Sequence, residues 1–293
     1  MATAVESRTT AERRRRTSRT GMAGTVARHV LLIAATIVCL YPIAFMLMTA
    51  LKTNEQYLND TYGLPWPLDF SHFRAAFDGG AFGTWFKNSV ILTVGSVLLS
   101  TVCAILAAYA IARMRFIGQR VFLLLNVALM VVPPVTMLIP LFSEFDQLGL
   151  VSTYQGAILV YAGLTMPFSV YLLTNFFRTI PYELIESAMA DGAGTFRILW
   201  QVMLPLSGPA LVTLIVVNAL WVWNELLIAL TFLPEEHLKP LMVGITTVFS
   251  GRYTLDVPTL MAGMLLTAAP MLLLYLAGQR FFVRGLTAGA LKG

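Results

Sequence analysis

Pro181-Tyr-Glu183-Leu-Ile-Glu186-Ser187-Ala188-Met-Ala190-Asp191-Gly192-Ala193, with nine residues between Gly192 and Val202-Met-Leu204-Pro205, decides how this chain is read. It is the longest polar interruption between two hydrophobic blocks in the second half of the chain. Its grammar is that of a short helix. Pro181 suits a first helical position, and Glu183 and Glu186 lie toward the positive end of the helix dipole. Gly192 is a natural stop. Ala188 and Ala190 keep the helix thin, so another surface can approach its backbone closely. A plain surface loop between two membrane spans is the other reading, and the rest of the chain has to choose.

Composition sets the class. Of 293 residues, 57% are hydrophobic and 12% charged, with a mean hydropathy of +0.75. A soluble domain carries roughly 25% charged residues, so this chain has too little polar surface to dissolve and reads as an integral membrane protein. Its net charge of +5 sits beside apolar runs, where membrane topology accounts for it better than nucleic acid does. Cys39 and Cys103 both lie inside apolar runs, so no disulfide framework is indicated. His29, His72 and His237 stand singly, without metal-ligand spacing. No G-x-x-x-x-G-K-[ST] stretch occurs, which excludes that way of cradling a nucleotide.

A span needs about 20 apolar residues to cross the hydrocarbon core. Six stretches qualify: 30–51, 88–112, 121–142, 154–177, 207–230 and 259–281. Residues 1–29, with Arg13 to Arg16 consecutive, read as a basic, disordered cytoplasmic arm. The run from Val30 is too long for a cleaved signal core and reads as a signal anchor. Placing the N-terminus inside puts fifteen of the twenty Lys and Arg on the inner side and nine acidic residues outside. That satisfies the positive-inside rule. The expected fold is therefore an all-α integral membrane protein of six transmembrane helices, with cytoplasmic N- and C-termini and a cytoplasmic 178–206 loop. Residues 30–282 form the membrane domain and 283–293 a cytoplasmic tail.

Ser96, Ser100, Ala104, Ala108 and Ala112 repeat every fourth position in the second span, a stripe that lets helix backbones pack closely in lipid. Pro133, Pro134 and Pro140 in the third span, Pro167 in the fourth and Pro270 in the sixth predict bends, either static or part of a path that opens and closes. Glu225 is the one obvious intramembrane charge, and Asn218, Trp221 and Glu225 share a helix face at i, i+3 and i+7. Such a group faces a wet cavity as a functional residue, or else makes a structural hydrogen bond to a neighbouring span. The external segment 52–87 is expected to fold against the outer face of the bundle. Segment 231–258 carries the apolar stretch Leu241 to Phe249, which needs a cover from a neighbouring loop or a partner protein.

Glu186-Ser187-Ala188, Gly192 and Val202-x-Leu204-Pro205 closely resemble the E-A-A-x3-G-x9-I-x-L-P signature of the membrane subunits of bacterial ABC importers. Ser187 and Val202 are mild departures from it. Asp191-Gly192-Ala193, Asn88-Ser89, Trp223-Asn224-Glu225 and the terminal Gly285 to Gly293 look like the carbohydrate branch, and within it like the shorter permease of the maltose-type pair. This resemblance covers roughly residues 28–293.

The resemblance implies a multi-pass permease of the bacterial plasma membrane. It would pair with a second permease, two ATPase subunits and an extracytoplasmic sugar-binding protein, and would bind no nucleic acid. The chain itself would catalyse nothing and hold no cofactor; ATP and magnesium would sit in the ATPases. The loop helix would dock on an ATPase through Glu186, Ala188 and Gly192, with Glu183 and Asp191 adding contacts at its two ends. The C-terminal tail resembles an element that also approaches the ATPases, and 231–258 a loop that reaches toward the binding protein. Sugars are held by aromatic stacking and side-chain hydrogen bonds. Tyr161, Tyr171, Asn175, Asn218, Trp221 and Asn224, with Glu225, are therefore the pathway candidates. A permease for a glycerol-phosphate or polyol is the near alternative, although the spans lack the basic residues a phosphate would favour. A self-sufficient carrier using Glu225 is the distant one.

Overall fold

Hydrocarbon offers no water to backbone N–H and C=O groups, so a chain this apolar must satisfy them within helices or a closed barrel. The computed structural model takes the first route. It describes the backbone of residues 2–78, 81–250 and 256–290, and side chains over 24–77, 81–247 and 256–279. Among the described residues there is no strand. The chain divides into two compact units, Met1–Phe70 and Ser71–Gly293.

In the first unit, α1 runs Ala2–Ala50 and a short α2 Asn54–Asn59. Where the sequence suggests a disordered arm, the helix extends back to Ala2, through a stretch rich in the strong helix formers alanine, arginine and glutamate. The side chains of the arginine run lie outside the described residues. Thr53 and Gln56 form a reciprocal capping box at the start of α2. Buried Lys52 extends Nζ to the carbonyls of Asp60 and Thr61, at 2.5 and 2.9 Å. The rings of Phe45 and Tyr62 lie 5.9 Å apart. The segment after α1 thus folds back on the end of its own helix.

The second unit opens with α3 (Ser71–Asp78), followed by α4 (Phe82–Arg113), α5 (Gln119–Val131), α6 (Pro134–Gln147) and α7 (Tyr154–Thr179). The cytoplasmic-loop candidate contributes α8 (Tyr182–Ala190) and α9 (Thr195–Ile198), then a π turn over Leu199–Met203 and the short α10 (Leu204–Leu206). After these come α11 (Gly208–Asn224), α12 (Leu227–Phe232), α13 (Leu241–Ser250) and α14 (Val257–Ala290). Its most extensive packing joins α4 to α7. Ser96, Ser100, Ala104 and Ala108 are buried, as their four-residue repeat predicts, and Ile158 of α7 lies so close that a Cβ on Gly95 would meet it at 2.7 Å.

Among the described residues, four helices are long and apolar enough to cross a membrane: Gly24–Ala50, Phe82–Arg113, Tyr154–Thr179 and Val257–Gln279. The expected third and fifth spans are not single rods. α5 and α6 meet at 103° around Val132-Pro133-Pro134. Two consecutive prolines remove two donors, and each disfavours helical geometry in the residue before it. At 13 residues, α5 is about 20 Å long and cannot cross the core alone. The second break, of 78°, separates Thr195–Leu206 from α11. The same span breaks again after Asn224, where Glu225 and Leu226 leave the helix before α12 begins. Pro140, Pro167 and Pro270 remain inside continuous helices. The final helix continues to Ala290, so the expected tail begins as its extension, with side chains outside the described residues.

The start of the apolar 241–249 stretch finds its cover within this unit. Helix α13 packs against α4 and α14, and Leu241, Val243 and Ile245 are buried. Asn88 Nδ2 donates to the carbonyls of His237 and Lys239, both at 2.9 Å, while Ser89 Oγ accepts the N–H of Leu241 at 2.8 Å. Tyr154 holds the amide in place, its hydroxyl donating to Asn88 Oδ1 at 2.6 Å. Residues 248–255, the remainder of the loop, lie outside the described side chains. Gly244 rests on the indole of Trp85, where an added Cβ would come within 2.1 Å of the ring. Gly244→Leu is therefore expected to destabilise the purified protein by about 1–3 kcal/mol through overpacking. Gly163→Ala, at an open position on α7, serves as the control in the same thermal melt.

Candidate functional site

Helix α8 begins one residue later than the sequence suggests, with Pro181 in the cap position. Only Glu183 lies in its first turn, so Glu186 is too far along to profit from the dipole. At the other end Gly192 takes φ +78°, Ala193 N–H bonds the carbonyl of Ala188 at 2.9 Å, and Gly192 N–H bonds that of Met189 at 3.0 Å. These are the two bonds of a Schellman motif, which needs the left-handed residue that glycine supplies. Ile185 is the one buried residue of α8 and joins a core cluster with Tyr109, Phe177, Ile180, Ile198, Leu199 and Met203. Tyr182, Leu184 and Met189 stand 51%, 43% and 49% exposed, so the apolar residues of α8 are not confined to one face. Glu183, Glu186, Asp191 and Gly192 are exposed as well, and Ala188 is half-buried.

Across from α8, the Val202-x-Leu204-Pro205 half of the pattern forms a wider turn. Leu204 N–H reaches back five residues to Leu199 O. This widening lies just before Pro205, whose ring would collide with the carbonyl four residues earlier in a regular α-helix. Between the two halves lies a groove of about 430 Å³, with Leu184, Ser187, Ala188 and Asp191 on one side and Gln201, Val202, Pro205 and Leu206 on the other. The spaced sequence pattern is therefore a single surface feature.

The seven pathway candidates separate into two sets. Tyr161, Asn218, Trp221 and Glu225 interlock α7 with α11. Asn218 Nδ2 donates to Ser169 Oγ at 2.8 Å, and the rings of Tyr161 and Trp221 meet edge-on at 6.1 Å. Tyr161 donates its hydroxyl to Glu225 Oε2 at 3.1 Å. The shared face expected for 218, 221 and 225 is present, and it faces α7. Both Glu225 oxygens also accept backbone N–H groups of α12: Oε1 from Leu227 and Ile228 at 2.9 and 3.1 Å, Oε2 from Ile228 and Ala229 at 2.9 and 3.2 Å. The carboxylate therefore caps the helix that starts where the span breaks, and of the two roles open to it the structure displays the structural one. Tyr171, Asn175 and Asn224 form the other set and are exposed. Among the described residues no group of His, Cys, Asp and Glu is arranged to hold a metal ion.

Residues 100–287 match the family model for the binding-protein-dependent transport system inner membrane component. This chain belongs to that family. It is 34% identical over 270 residues to the melibiose/raffinose/stachyose import permease protein MelC of Bacillus subtilis, covering 91% of this chain and 97% of the relative. It is 30% identical to the diacetylchitobiose uptake system permease protein NgcG of Streptomyces coelicolor, covering 90% and 88%. Among solved structures it is similar to a bacterial ABC transporter involved in the import of the acidic polysaccharide alginate. That likeness has a TM-score of 0.79 at 26% identity, over 90% of this chain and 98% of the other. The permease is thus a multi-pass inner-membrane transport subunit, and ATP hydrolysis belongs to a separate subunit of such importers.

Sequence reasoning missed the two ends of α4 in this permease. Asn88-Ser89 stood out only as a resemblance, and their work on the 237–241 backbone needs the fold to be seen. Arg113 counted only as an inner positive charge, yet its Nη2 donates to the carbonyls of Phe177 and Ile180, the latter at 2.5 Å. Only its position at a span end hinted at this. Because both Glu225 oxygens accept, Glu225→Gln keeps one acceptor but turns an amide donor toward the remaining donors, so it should melt below the parent. Glu225→Ala strips the first turn of α12 and should cost about 1–2 kcal/mol, measured as a thermal shift in detergent.

Proposed function

We propose that this permease is one of two transmembrane subunits of an ATP-driven importer that receives a carbohydrate from an extracytoplasmic binding protein. In this reading the chain crosses the membrane six times, two of the crossings bent, with both termini cytoplasmic. Helix α8 is the coupling helix: it seats on a cytoplasmic ATPase subunit that binds ATP and magnesium, and passes the closure of two such subunits into the bundle. The observation that carries this reading is the shape of the loop. An exposed helix with apolar side chains open to solvent is stopped sharply by Gly192, backed by Ile185 in the core and bordered by a groove. Tyr182, Leu184 and Met189 left open to solvent on one short helix support a protein partner for it.

The solutes named for MelC and NgcG are oligosaccharides, which supports a carbohydrate over a glycerol-phosphate or polyol. Tyr171, Asn175 and Asn224 are the candidates whose exposure leaves them open to sugar hydroxyls, whereas Tyr161, Asn218, Trp221 and Glu225 brace the helices around the path. A self-sufficient carrier would need Glu225 to exchange an ion, and its oxygens are taken up by backbone N–H groups and Tyr161.

Gly192→Val tests the coupling assignment. A β-branched residue at φ +78° costs about 1–2 kcal/mol or more, enough to weaken ATPase association roughly tenfold. ATPase co-purification and sugar uptake should both fall at normal membrane expression. Uptake at the parent rate would overturn the docking assignment.

A further inference from the structure

The cytoplasmic-loop end of α4 grips both stems of the loop that carries α8. On the entering side, Arg113 Nη2 donates to Phe177 O and Ile180 O, the last carbonyls of α7 before Pro181. Phe177 O also accepts the N–H of Ile180 at 3.3 Å, and both carbonyls lie at the negative end of the helix dipole, where a guanidinium is favoured. On the leaving side, Tyr109 donates its hydroxyl to Thr195 O at 3.3 Å, at the first residue of α9. Tyr109 and Arg113 are four residues apart, hence neighbours on one face of α4. The Tyr109 ring is buried in the same cluster as Ile185, so the middle of α8 is tied to this face too. One helix face thereby holds the loop at its entrance, its centre and its exit.

We propose that Arg113 and Tyr109 are positioning residues for coupling: they make α8 move as one body with the α4–α7 pair, so that displacement of α8 by the ATPase becomes displacement of the spans. Neither residue belongs to the exposed docking surface. Their task begins after docking, and the inference rests on α8 being the coupling helix. Without the Arg113 bonds the stem at 177–181 can flex, and the stroke is absorbed in the loop.

The test uses the whole importer reconstituted in proteoliposomes, with its binding protein and sugar. Sugar taken up per ATP hydrolysed is measured for the parent, Arg113→Met, Arg113→Lys and Tyr109→Phe. In Arg113→Met the ATPase should co-purify in parent amounts and hydrolyse ATP without the binding protein at the parent rate. Its uptake per ATP should fall roughly tenfold, within the range that coupling energies between sites span. Arg113→Lys restores a donor and should recover part of the ratio, and Tyr109→Phe should lower it less than Arg113→Met. A purely structural role would reduce protein yield and leave the ratio of the surviving complexes unchanged. A parent ratio in assembled Arg113→Met complexes overturns the proposal. Should Arg113→Met not assemble, the ratios of Arg113→Lys and Tyr109→Phe are decisive, and parent values in both overturn it. Failure of the parent chain to co-purify with any ATPase would instead overturn the coupling-helix reading itself.

Discussion

The close packing of α4 against α7 is the contact on which the other features of the second unit depend. Lipid tails are as apolar as leucine, so two helices gain little by hiding leucines from lipid; they gain by bringing backbones close and filling the seam without voids. Ser96, Ser100, Ala104 and Ala108 permit that approach, and Leu173 and Phe177 of α7 fill the lower part of the seam with no exposure at all. From this rigid pair the polar work is done at the ends. Asn88 and Ser89 secure the 237–241 backbone near the start of α4, and Tyr109 and Arg113 secure the loop with α8 near its finish. Larger side chains along the seam would push the two helices apart and misplace both ends together.

At two of the breaks in the spans, a side chain bonds the interrupted backbone. A helix interrupted inside a membrane exposes N–H and C=O groups that lipid cannot bond. At the 224–227 break, the Glu225 carboxylate takes the N–H groups of the first turn of α12, and Tyr161 takes the remaining capacity of one oxygen. At the 207 break, Ser207 Oγ donates back to Met203 O at 2.7 Å, and its own carbonyl accepts the N–H of Leu211. Asn126 of α5 donates to the carbonyl of Pro167 at 2.8 Å, and Trp223 Nε1 to that of Thr267 at 3.0 Å. Several polar residues that stand out in the apolar sequence thus bond backbone groups of the spans. A transport protein that must change shape gains from breaks satisfied by side chains, because side-chain bonds can be exchanged when segments rotate.

Much of this was legible in the sequence, for reasons that are local. Composition forces a membrane protein, because too few polar groups exist to cover a soluble surface. Apolar runs of about 20 residues mark where the chain is able to cross, and the small-residue stripe of α4 names its buried face because helix periodicity is rigid. The exit of α8 at Gly192 follows from the steric cost of a Cβ in left-handed geometry. Long-range pairings were not legible. Glu225 reads equally well as a cavity charge or as a structural group, since its role depends on where the α12 N–H groups and Tyr161 come to lie. The apolar 241–249 stretch calls for a cover, and only the fold shows that α4 and α14 pack on the helix that buries Leu241, Val243 and Ile245. The 103° turn at Pro133-Pro134 exceeds a simple proline kink, because adjacent prolines end one helix and start another.

Hydropathy, charge asymmetry, helix periodicity and the stop at Gly192 were thus determined by the sequence alone, since each depends on residues within a few turns of one another or on solvent transfer summed over a segment. The partners of Asn88, Arg113, Asn218 and Glu225 were decided only by tertiary structure. Those side chains reach groups dozens to more than a hundred residues away, and which carbonyl or N–H arrives there depends on how the helices pack, which no local pattern encodes.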